Sequence, residues 1–70
     1  MTRSVFQLVS AAEGWCLLDN GKPCFWFPEK DKALETACVM ADARATFREE
    51  PASVHVQIGS GDFVQVAAYG

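Results

Sequence analysis

Apolar residues recur with a helical period across 29–50, alternate with polar ones across 53–58, and crowd both sides of a short segment across 15–27. In the first of these stretches, a turn of about 100° per residue gathers Leu34, Ala37, Cys38, Ala41 and Ala45 into one stripe. Ala33, Met40 and Phe47 widen the stripe on one side. Lys32, Glu35, Thr36, Asp42, Thr46 and Glu49 lie opposite, with Val39 and Ala43 as the only apolar exceptions on that solvated face. The spacing predicts a helix over about 30–48, with Glu29 and Asp31 at its positive end, Arg44 and Arg48 at its negative end, and Pro51 as its stop. Its apolar side is mostly alanine, so it can lie close to its partner. The bulk of the core must then come from aromatic residues in the flanking strands.

Those strands are read from short β-branched and aromatic runs. Ser4 to Val9 is the first, with Phe6 and Leu8 on one face, and Ser10 to Gly14 is a small, polar loop after it. Trp15 to Asp19 and Pro23 to Phe27 flank Asn20-Gly21, a pair that favours the positive φ angles of a two-residue type I′ hairpin turn. Simple alternation from that turn pairs Asp19 with Lys22, Leu17 with Cys24, Cys16 with Phe25 and Trp15 with Trp26. One face then carries Trp15, Leu17, Cys24 and Trp26, and the other Cys16, Leu18, Phe25 and Phe27. Both are apolar, which predicts a sheet covered on both sides. Ser53 to Ile58 alternates cleanly, Val54, Val56 and Ile58 inward and His55 and Gln57 outward. A three-residue turn at Gly59-Ser60-Gly61 pairs Val56 with Val64 and Val54 with Val66 in a last strand ending at Tyr69. The expected architecture is a single α+β domain over 1–70, ordered β-β-β-α-β-β, with one antiparallel-dominated five-stranded sheet and one helix on a face.

At 70 residues the chain is near the lower size limit for a self-sufficient core, yet 50% of it is hydrophobic. Either the core is unusually complete or some apolar surface is buried against another chain. No apolar run reaches the length of a membrane span or a signal-peptide core, so a cytoplasmic protein that does not enter the membrane is expected. The net charge is −3, and the six basic residues Arg3, Lys22, Lys30, Lys32, Arg44 and Arg48 form no cluster along the chain. Nucleic-acid binding draws most of its affinity from such residues, so the balance disfavours it.

Candidate chemistry is sparse. Cys16, Cys24 and Cys38 lack the spacing of a metal or redox motif, and an odd number without an export signal reads as reduced thiols. His55, the lone histidine, has only Ser53, Gln57 and Gln65 as expected neighbours on its face, which supply no orienting carboxylate. Gly59-Ser60-Gly61 is followed by a strand and not by a phosphate-cradling helix. Trp15 and Trp26, side by side in the alternating register, suit filling space beside an alanine-lined helix better than a stacking platform. No catalytic, cofactor-binding or metal-binding residue emerges, and the expectation is a protein that is not an enzyme and needs no cofactor.

With Gly14-Trp15 opening the second strand, Glu29-Lys30 leading to Ala33-Leu34, a turn glycine at Gly61 and a terminal Tyr69-Gly70, the chain resembles a bacterial family of small domains known as domain of unknown function 2188. The resemblance spans nearly the whole chain. It implies the same β-β-β-α-β-β fold with the helix on the Trp15 face, and no activity. One helix on that face leaves Cys16, Leu18, Phe25 and Phe27 uncovered, and a patch of that kind normally marks an interface. The resulting expectation is an interaction module that pairs with a second copy of itself, or docks an unknown protein, through those four residues. The alternative is a regulatory or nucleic-acid-associated protein, for which the sheet would offer only Lys22 and Arg3.

Overall fold

The computed structural model describes residues 3–70. Its elements follow the expected order: β1 (Ser4–Ala11), β2 (Gly14–Asp19), β3 (Lys22–Phe27), α1 (Lys30–Phe47), β4 (Ala52–Ile58) and β5 (Asp62–Tyr69). The five strands form one mixed sheet in the spatial order β3-β2-β1-β4-β5. β1, the central strand, runs parallel to its neighbour β4, and every other pairing is antiparallel. A parallel pair needs a long crossover, which here is the whole β2-β3-α1 excursion.

The helix covers one face only. Ala33, Ala37 and Ala41 are fully buried against Phe6, Leu8, Leu17 and Val54, with Val56 and Ala52 completing the core. The small side chains bring α1 close to the sheet, and the large ones project up from the strands, as the alanine stripe requires. Trp15, Phe27, Leu34, Cys38 and Met40 pack around this centre. Phe47, expected in the apolar stripe, is instead 84% exposed as the last residue of the helix. That end comes before Pro51: Arg48 caps it, and Glu49 takes a positive φ of 55° that turns the chain towards β4.

Both outer hairpins keep the expected turn and lose the expected register. At Asn20-Gly21, Asp19 faces Lys22 as alternation requires, but β3 contains a bulge: Leu18 pairs with Pro23 and Leu17 with Phe25, leaving Cys24 as the extra residue. Pro23 has no N–H to give to the ladder, and a bulge on an edge strand accommodates it. Beyond the bulge every pairing moves by one, so Cys16 faces Trp26 and Trp15 faces Phe27. At the other edge the three-residue Gly59-Ser60-Gly61 turn and the Val56–Val64 pair stand as expected. A second bulge then makes Val66 the extra residue and sets Val54 opposite Ala67. Ile58 keeps the expected side of β4, with Val54 and Val56, but at the end of the strand beside the turn it is half exposed.

The expected loop over 10–14 is shorter than its sequence suggests. β1 runs on to Ala11, and Ala12 and Glu13 alone make a tight turn with positive φ angles of 50° and 62°. Neither residue type favours that region, so the turn is imposed by the pairing of β1 with β2.

Candidate interaction surface

The register sorts the side chains of the sheet face opposite α1. β1 contributes Val5, Gln7 and Val9, and β2 contributes Cys16 and Leu18. Trp26 comes from β3, Ser53, His55 and Gln57 from β4, and Phe63 and Gln65 from β5. No Asp, Glu, Lys or Arg of any strand points to this face, because Asp19, Lys22 and Asp62 all fall on the helix side of the ladder. No element of the described residues lies over it.

The four residues expected to form one patch are divided by the β3 bulge. Cys16 and Leu18 sit on the open face beside Val9 and Gln7. Phe25 and Phe27 pair with Leu17 and Trp15 on the helix side, where Phe27 packs against the core and Phe25, at the sheet edge, stays 52% exposed. Their rings are tilted, with centroids 6.3 Å apart. The same shift separates Trp15 from Trp26: Trp15 lies on the helix side, with the Lys30 ammonium 5.4 Å from its ring centroid, and Trp26 lies on the open side.

Trp26 is therefore a residue of the open face that alternation could not place there. Its indole N–H donates to the Ala11 carbonyl at 2.9 Å. The ring lies across Gly14, where an added Cβ would stand 2.5 Å from it and 2.4 Å from the Phe27 carbonyl. Trp26 as a whole remains about half exposed, but its indole is held by that hydrogen bond. Gln57 is held similarly, its Oε1 accepting the Ser10 N–H at 3.0 Å. The apolar part of the face is thus preorganised, with the two long side chains that border it tied to backbone.

Ser53 and His55 stand 3.0 Å apart between Oγ and Nε2. That distance suits a nucleophile and a base, but Ser53 is only 3% exposed. Among the described residues no carboxylate hydrogen-bonds to the imidazole. The pair satisfies a buried hydroxyl and offers no oriented base. Of the thiols, Cys24 is exposed yet donates to the Leu17 carbonyl at 3.3 Å. Desolvation first, then the neighbouring charge of Asp19, pushes its ionisation upward, which disfavours the reactive thiolate. Among the described residues no three potential ligands gather as a metal site. No helix among them is long and apolar enough to cross a membrane.

One polar feature on the helix side had no signal in the sequence. Arg44 forms a bidentate ion pair with Asp19, at 2.8 and 2.9 Å, and its guanidinium lies 4.8 Å from the Phe6 ring centroid. Arg44 also donates to the Ser4 hydroxyl, which in turn donates to Glu50. Helix periodicity alone marks Arg44 as a residue for the helix's negative end. The fold instead makes it a clamp between α1 and β2.

No family model, curated protein or solved structure matches the chain.

Proposed function

We propose that this chain is a non-catalytic, cytoplasmic interaction module that pairs with a second copy of itself through the open face of its sheet. The observation that carries this reading is the absence of any strand charge from that face, combined with Val5, Val9, Cys16, Leu18, Trp26 and Phe63 on it. Charged residues are depleted from the centres of interfaces, where aromatic residues are enriched. A sheet face meant for water normally alternates apolar-in with charged-out. Two such faces can stack at about 10 Å as in a β-sandwich, with Gln7, Gln57 and Gln65 meeting neutral partners across the join. A standard interface takes about 800 Å² from each partner, and the chain has 4520 Å² of accessible surface to draw on.

Of the four residues first expected at an interface, Cys16 and Leu18 belong to this proposed surface. Phe25 and Phe27 are off it, on the helix side of the ladder, where Phe27 packs against the core. The test is sedimentation velocity at low micromolar concentration on the wild type and on Leu18→Glu. A dimer that becomes a folded monomer in the variant is the expected result. A wild type that stays monomeric up to high micromolar concentration overturns the reading.

A further inference from the structure

The six basic residues look dispersed in sequence, but folding brings Arg3, Lys22, Arg44 and Arg48 to the walls of a single open cleft of about 610 Å³. It lies where the end of α1, the start of β1 and the β2-β3 turn meet. Ligand sites commonly measure about 300–1,000 Å³, so the cleft is of useful size. Arg44 is neutralised by Asp19, and among the described residues that is the only ion pair. Arg3, Lys22 and Arg48 remain, set against the Glu50 carboxylate and the half negative charge of the helix C-terminus. The balance is about one and a half positive charges. A chain with a net charge of −3 thus keeps a local cationic site.

A second hollow of about 310 Å³ adjoins the first, sharing Arg44 and Arg48 and lined otherwise by Met40, Ala43 and Phe47. Phe47 is the most exposed large apolar residue described, and no packing within the fold accounts for it. The cationic cleft and the aromatic ledge are therefore continuous around the last turn of α1.

We propose that this end of the molecule binds a nucleotide-sized organic phosphate, with the phosphate held by Arg3, Lys22 and Arg48 and the planar ring resting on Phe47. A phosphate monoester carries about 1.5 to 2 negative charges at neutral pH, which matches the local surplus. Arg44, held by Asp19, keeps the wall of the cleft in place. The same chemistry is offered by a free nucleotide and by the end of a single strand. The overall acidity of the chain favours the free nucleotide, because a longer polyanion would run over negative surface. The site lies on the helix side and does not depend on self-association through the open face.

The test is an NMR amide-shift titration of the full chain with AMP, inorganic phosphate and a short 5′-phosphorylated single-stranded oligoadenylate, at about 50 mM salt. Saturable shifts at Lys22 and along 44–48 with AMP are expected. The double variant K22Q/R48Q should weaken AMP binding about tenfold or more, since removing a charge-assisted hydrogen bond costs about a factor of ten in affinity. F47A should weaken AMP about fivefold or more and leave inorganic phosphate unaffected. These side chains are exposed, and unchanged shifts in the sheet confirm that the variants fold. If the oligonucleotide binds more tightly than AMP, with a steep salt dependence, a strand end is the natural source; equal affinity assigns a free nucleotide. Absence of saturable shifts with both AMP and the oligonucleotide overturns the proposal, as does undiminished AMP binding by K22Q/R48Q. AMP binding no tighter than phosphate overturns the role of Phe47.

Discussion

The two faces of the sheet are built from similar residues and do different work. On the covered face, Phe6, Leu8, Leu17 and Val54 are fully out of water because three alanines let the helix come down onto them. On the open face, Val5, Val9, Cys16 and Leu18 are only half-buried, shielded by one another and by their strand neighbours. Apolar character alone therefore does not say which side is the core; the small residues on the facing helix do. In the central strands the difference follows parity, since Phe6 and Val9 belong to the same strand and stand on opposite sides of it.

The largest test of this contrast is to truncate one side chain on each face of β1. Phe6→Ala removes a ring from beneath the helix and the Arg44 guanidinium, and a cost of about 3–5 kcal/mol is expected. Stability for a chain of this size is of the same order, so urea denaturation should find the variant largely unfolded at 25 °C. Val9→Ala on the open face should cost about 1 kcal/mol or less when measured in the monomer. Equal losses for the two would mean that the open face is also packed, and the distinction between the faces would fail.

Gly14 sharpens the contrast from the other direction, because there the open face is closely packed. A methyl group there would meet a backbone carbonyl and the Trp26 ring at once. Gly14→Ala is expected to cost about 1–3 kcal/mol and to break the Trp26 indole bond to Ala11. The Trp26 indole N–H resonance reports this directly: it should move towards its free position and lose protection from exchange. A variant in which that signal is unchanged would show that the indole is held by something other than this hydrogen bond.

How much of this was visible in the residues depended on whether the signal was local. The helix is written in its alanine stripe, and the Asn20-Gly21 and Gly59-Ser60-Gly61 turns are written in their φ preferences. A bulge is not: one extra residue at Cys24 or Val66 leaves the composition of the strand unchanged and reverses every side chain beyond it. Pro23 was the available warning at one edge, and no comparable residue marks Val66. The Ala12-Glu13 turn carries no local signal, because tertiary pairing forces two ordinary residues to positive φ. Long-range arrangements were out of reach for the same reason. Nothing local in Ser4–Ala11 or Ala52–Ile58 says that they pair in parallel, or that Asp19 waits for Arg44. The division of the expected patch, with Cys16 and Leu18 on one side and Phe25 and Phe27 on the other, follows entirely from the first bulge.

A smaller effect than either Phe6→Ala or Gly14→Ala is expected at the rim of the covered face, where a polar clamp replaces apolar packing. The Asp19 carboxyl is held below the usual carboxylate range, chiefly by its hydrogen bonds from Arg44. Burial works against this, and the charges of Arg44, Arg48 and Lys22 assist it. Arg44 is shifted upward by the same pairing and stays charged. A carboxyl whose value is lower in the folded than in the unfolded chain binds fewer protons when folded. The stability it contributes is complete above the unfolded value and is lost as pH falls through the folded one. The clamp should therefore stabilise the fold fully at neutral pH and fade below about pH 4. Both side chains are about a fifth to a quarter exposed, at 18% and 26%. Solvent moderates the pair, and Asp19→Asn is expected to cost about 1 kcal/mol at pH 7. Urea midpoints for the wild type and the variant should differ at pH 7 and converge as the pH falls below about 4 and through the folded carboxyl's lowered value. A gap that persists unchanged at low pH would mean that the amide disturbs packing, and that this rim of the covered face is held by shape and not by charge.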